Sequence, residues 1–193
     1  MKVQIEKSFP LPGPADDAWR LLQDIEAVAG CMPGAKITER IDATHYKGTV
    51  TVRVGPATLS FRGEVEVSAV DPAAKSLRLL GKGTDTTGTS GASMDLAARI
   101  EAAGAGTSNL VGASEVAMSG KAATFGGRMM NTVADQILDR FAANFAARVA
   151  ALSVPRSDAA AAPAAKAAEL NGLALAWAVF RSWLRGLFSR KSA

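Results

Sequence analysis

The chain has 193 residues, 22 Lys+Arg against 18 Asp+Glu, and its excess of +4 lies entirely beyond residue 152, because residues 1–152 carry 16 of each sign. A neutral body argues against a nucleic-acid-binding domain, which shows a basic patch, and a body of this length buries a full core without disulfide or metal staples. Cys31 is the only cysteine and His45 the only histidine, so an internal disulfide and a Cys/His zinc site of three or four ligands are both excluded, and a reducing compartment is the natural setting.

The first segment, Lys2–Phe9, alternates apolar and polar residues and predicts a strand, stopped by Pro10, Pro12, Gly13 and Pro14. The charges in Met1–Lys7 stand where a signal peptide needs an apolar run, so no secretion signal is expected. Ala15–Ile25 follows as a short helix, with Pro14 suited to its entry, and Glu26–Gly30 as a second short helix before Cys31-Met32-Pro33-Gly34. From residue 35 the period changes to two: Val50, Val52 and Val54, then Leu59, Phe61, Val65 and Val67, then Met94, Leu96, Ala98 and Ile100, then Leu110–Ser119. Gly55-Pro56, Asp71-Pro72, Gly81–Gly88 and Gly104–Gly106 are read as the breaks between about six strands of an antiparallel meander.

Ala122–Leu152 reads as one long amphipathic helix, with Val133, Ile137, Phe141, Phe145 and Val149 every fourth residue and Arg128, Asp135, Asp139, Arg140 and Arg148 off that stripe. Strands followed by a long helix indicate an α+β domain in which a curved antiparallel sheet wraps the C-terminal helix. Such an arrangement leaves a hydrophobic cavity, and the expected ligand-binding residues are Met32, Phe61, Met94, Met118, Phe125, Met129, Met130 and Val133. Methionine adapts to irregular apolar ligands, although each of these also fits an ordinary core.

Residues 1–152 thus form one domain and the alanine- and proline-rich stretch 153–168 a linker. The tail, 169–193, carries Leu173, Trp177, Phe180, Trp183, Leu184, Leu187 and Phe188, with Arg181, Arg185, Arg190 and Lys191. Its uninterrupted apolar run, Leu173–Phe180, is too short for the roughly 20 residues that a spanning helix needs. Apolar residues gain only about 0.3–0.6 kcal/mol each near the bilayer centre and one central arginine costs about 2.5–3.5 kcal/mol. In the interface those arginines instead become favourable against anionic lipid. The tail therefore predicts an amphipathic helix lying on the membrane surface, docking into a protein groove being the alternative.

No catalytic constellation emerges. Gly81–Thr86 lacks the third glycine of a dinucleotide loop, Gly120-Lys121 is followed by Ala122 where a phosphate loop needs Ser or Thr, and Glu64, Glu66 and Asp95 alternate outward as a solvated face. No metal site and no enzyme activity are expected.

Several short elements in order, Cys31-Met32-Pro33-Gly34, Tyr46-Lys47-Gly48-Thr49-Val50, Val52-Arg53-Val54-Gly55-Pro56, Phe61-Arg62-Gly63, Ser119-Gly120-Lys121-Ala122 and Phe125-Gly126-Gly127, carry a resemblance. Over residues 1–152 the chain resembles the CoxG family of CO dehydrogenase accessory proteins, within the START-like (SRPBCC) helix-grip superfamily. The resemblance implies a non-catalytic accessory of a molybdenum-containing CO dehydrogenase or related hydroxylase. Its implied role is to bring that enzyme to the inner face of the cell membrane from the cytoplasm. It also implies an apolar ligand, with an isoprenoid quinone as the candidate, and no covalently bound cofactor. A polyketide cyclase-like enzyme of the same superfamily and a protein–protein adaptor with a closed interior are the alternatives.

Overall fold

The computed structural model describes residues 1–153. The linker and tail assignments, including every expected membrane-binding residue from Leu173 to Lys191, lie outside the described residues.

The elements run β1 (Lys2–Leu11), α1 (Ala15–Gln23), α2 (Ile25–Ala29), β2 (Ala35–Arg40), β3 (His45–Val54), β4 (Ala57–Asp71), β5 (Ser76–Asp85), β6 (Ser90–Gly104), β7 (Thr107–Gly120) and α3 (Gly127–Ser153). All seven strands form one antiparallel sheet in the order β1-β7-β6-β5-β4-β3-β2, so the meander from β2 to β7 is joined at its far edge by the N-terminal strand. The fold is α+β, a curved antiparallel sheet gripping a long C-terminal helix.

Two expectations are corrected. Gly81–Gly88 is not a break: β5 runs through Gly81 and Gly83 to Asp85, and only the turn beyond it is irregular. These glycines belong to a register row, Gly48–Gly63–Gly83, that crosses β3, β4 and β5. A Cβ on Gly63 would collide with the carbonyl oxygen of Lys82, so glycine there permits the close strand approach that bends the sheet. The long helix also starts later than Ala122. Lys121–Phe125 is a 3-10 turn, and Gly126, at φ 79°, breaks the chain before α3 begins.

The core divides in two. The larger cluster joins Trp19, Leu21, Leu22 and Ile25 of α1 and α2 to Leu77, Leu79, Ile100 and Leu110 of the sheet and to Phe141, Phe145 and Val149 of α3. Phe141 and Phe145 lie with ring centroids 5.7 Å apart. The smaller cluster sits under the start of α3, where Met130 packs with Val3 and Val54, bordered by Val52, Leu59, Met118, Phe125 and Val133. Polar contacts fasten the helix at both ends. Lys7 Nζ of β1 meets Asp135 at 2.8 Å, and Asn144 Nδ2 donates to the Cys31 carbonyl at 2.9 Å.

Candidate functional site

Strand alternation assigns each residue to a face of the sheet, and the registers align the inward positions into rows. One row runs Val3–Val116–Met94–Gly81–Val65–Tyr46, the next Ile5–Ser114–Leu96–Leu79–Val67. Toward α1 and α2 the inward residues Leu77, Ile100 and Leu110 are fully buried. Under the start of α3, Val3 and Val54 are buried as well. Ile5, Phe61, Val65, Met94, Leu96, Val116 and Met118 face inward yet stay only half-buried; Val65, Met94 and Leu96 pack on the larger cluster, Ile5 and Met118 on the smaller, and Phe61 and Val116 on neither. Val50, also inward, is 39% exposed. The helix thus packs most tightly on the sheet at its two ends, and the inward apolar side chains between them, toward β3, are less completely covered.

One inward polar group is sealed off without a partner. The hydroxyl of Ser114, on the inner face between Ile5 and Leu96, is buried without a hydrogen-bond partner. Burying an unpaired hydroxyl costs about 1–3 kcal/mol. By contrast, the other inward serines are satisfied: Ser108 donates to the Gly13 carbonyl at 2.9 Å, and Ser90 accepts from the Ala122 N–H at 3.0 Å. At the β1 edge the Lys7 ammonium is held by Asp135, which raises its pKa.

The expected cavity residues divide accordingly. Phe61, Met94 and Met118 are inward and half-buried. Met32 packs against the larger cluster from the α2–β2 connection. Met130, Phe125 and Val133 build the smaller cluster that closes one end. Met129 is 43% exposed, in contrast to its neighbour Met130, which is buried. Ser114, Val116 and Leu96 escape the sequence reading. Their alternation is visible in the sequence, but a half-buried inner position cannot be told from a packed one before the helix is placed.

A recess of about 590 Å³ crosses β4 to β7, lined by Arg62, Glu64, Lys82, Thr84, Ser93 and Ser119 together with Gly63, Gly83, Gly91, Ala92, Ala117 and Met118. Of the expected cavity residues only Met118 touches it. Among the described residues no group of three or more His, Cys, Asp or Glu side chains is placed to hold a metal, and no helix is long and apolar enough to cross a membrane.

A curved sheet around a long helix, with an apolar interior between them, defines a START-like domain. Solved structures agree on that fold. A conserved protein from Geobacillus kaustophilus matches with a TM-score of 0.70 at 21% identity, over 77% of this chain and 96% of its own. The Zhui aromatase/cyclase from Streptomyces sp. R1128 matches at 0.57 and 15%, over 78% and 94%. A START superfamily protein from Mycobacterium smegmatis matches at 0.55 and 17%, over 77% and 98%. No curated protein sequence matches the chain significantly. The family model for CoxG, a carbon monoxide dehydrogenase subunit, matches residues 8–150, and the chain belongs to that family.

Proposed function

We propose that this protein is a non-catalytic accessory of a molybdenum-type carbon monoxide dehydrogenase or a related hydroxylase, which carries one apolar ligand in its interior and holds the enzyme at the inner face of the cell membrane. The observation that carries the ligand reading is the band of half-buried apolar side chains, Phe61, Met94, Leu96 and Val116, around the unpartnered hydroxyl of Ser114. That combination fits a molecule with an extended apolar body and a single hydrogen-bonding head. An isoprenoid quinone has both parts, a polyprenyl chain for the apolar walls and a carbonyl oxygen that would accept from the serine O–H once local movement uncovers that buried hydroxyl. When bound, a quinone would supply the electron-accepting chemistry; the residues of this chain hold and orient it and exclude water. The enzyme partner follows from the family match, and the membrane role from the basic, apolar composition of residues 169–193.

Native mass spectrometry with lipid extraction, on the full chain purified from its own host, tests this reading. One apolar molecule per chain bearing a carbonyl or hydroxyl head is the expected result. A ligand-free chain, or a ligand without a polar head, would overturn it.

A further inference from the structure

The body is neutral overall, yet its charge is segregated. The end of the sheet where α3 begins is built from residues 34–36, 49–62, 84–91 and 119–133. These segments contain Lys36, Arg53, Arg62, Lys121 and Arg128, and Asp85 as their only carboxylate. All five cations are exposed. Among the described residues none of the five takes part in an ion pair; of the other Lys and Arg, Lys2, Lys7, Arg20, Lys47, Lys75, Arg78 and Arg99 do, and Arg40, Lys82, Arg140 and Arg148 do not. Asp85 is turned to its own loop, accepting the Ser90 N–H at 2.8 Å. The opposite end carries Asp16, Asp17, Asp24 and Glu26 on α1 and α2.

The same basic end has exposed apolar groups. Val50 and Met129 are two of the five large apolar side chains exposed among the described residues, at 39% and 43%. Val50 stands on the inner face of β3 at the opening of the interior. Met129 is adjacent to Met130, which packs on Val54 of the same strand. Unpaired cations interspersed with exposed apolar side chains, around the opening of an apolar chamber, match the chemistry of an anionic bilayer surface. The first turn of α3 adds the positive end of its dipole there.

We propose that this end of the folded domain, with Arg53, Arg128 and Met129 at its centre, is itself a lipid-docking rim that turns the opening of the interior toward an anionic membrane. Docking there lets an apolar ligand pass between bilayer and protein without crossing bulk water. That purpose rests on the ligand reading above, whereas the docking itself is independent of it and of the tail.

The test uses the full chain carrying Trp183→Glu and Leu187→Glu, which removes apolar contacts of the tail, and vesicles of mixed phosphatidylglycerol and phosphatidylcholine or of phosphatidylcholine alone. The tail variant should keep a salt-sensitive affinity for the anionic vesicles only. Adding Arg53→Glu and Arg128→Glu should lower that affinity about tenfold or more, since each basic residue near an anionic surface contributes separately. Arg20→Glu with Arg99→Glu, the same charge change placed elsewhere, should leave it unchanged. All four arginines are exposed, and an unaltered circular dichroism melt confirms that the variants fold. Loss of all anionic-vesicle binding in the tail variant alone would overturn the proposal. Equal binding by the rim variant and its parent would also overturn it and leave the basic end to an acidic protein surface. Neither result touches the ligand measurement, so the two readings fail separately.

Discussion

His45, the one histidine, begins β3, and its ring Nδ1 lies 3.0 Å from the Asp42 carboxylate in the turn before it. The hydrogen bond that His45 donates to the Asp42 carboxylate raises the His45 pKa above its ordinary value, and the charges of Asp42, Glu66 and Glu64 add to this. Asp42 is held well below the usual carboxylate range, first by the Thr44 N–H and then by His45. The signs fix the pH window. A raised histidine pKa contributes stability below its unfolded value and loses it as pH rises through the folded one. A lowered carboxylate pKa contributes above its unfolded value and loses it as pH falls through the folded one. The turn is therefore tightest between those limits. Both groups are solvent-exposed, so the effect belongs to the local turn rather than to global stability. Asp42→Asn should bring the His45 imidazole titration, followed by proton NMR, down toward the ordinary histidine value; an unchanged midpoint would contradict the pairing. Cys31 behaves oppositely: burial raises its thiol pKa, so native protein should react with thiol reagents far more slowly than protein unfolded in urea.

Among the elements, α3 shows most clearly what sequence periodicity can and cannot establish. The four-residue spacing of Phe141, Phe145 and Val149 correctly marks the face that ends fully or nearly fully buried. The same stripe continues into Val133 and Ile137, which are only half-buried. Periodicity reports which face turns inward, not how much room lies beneath it. It also fails at the helix start, where Gly126 divides a 3-10 turn from α3, and of the two expected methionines Met130 is buried while Met129 is exposed. The glycines of β5 mislead in another way. Glycine commonly punctuates loops, but here it marks the bend of a continuous strand, a tertiary cause that no local window contains. Two substitutions separate these roles. Phe145→Ala should cost about 3–5 kcal/mol in urea unfolding, as expected for an aromatic side chain with no exposure. Gly63→Ala, a change of one methyl group on a half-buried strand, should also destabilise measurably, because the neighbouring backbone of Lys82 leaves no room for a Cβ. An unaltered urea midpoint for Gly63→Ala would show that the sheet bend does not depend on it.

The described domain is two packed clusters joined by one helix, with half-buried apolar side chains between sheet and helix. The architecture could be anticipated because the strands alternate so regularly and the long helix comes last. The identity of the middle could not, since Ser114, Leu96 and Val116 alternate just as packed core residues do. The proposed function requires that middle to be ligand space rather than loosely drawn core, and Val116→Phe tests this directly. Val116 belongs to neither cluster, and its row neighbours are Val3 and Met94. Adding bulk to a packed core costs typically about 1–3 kcal/mol, whereas adding it to open space is neutral or stabilising. The decisive measurement is native mass spectrometry of Val116→Phe beside the parent chain, both purified from the native host, with thermal melts confirming equal folding. An empty variant beside a ligand-bearing parent is the predicted result. The same ligand at the same occupancy in both would contradict the proposed function, because the ligand would then reside somewhere other than between the sheet and α3.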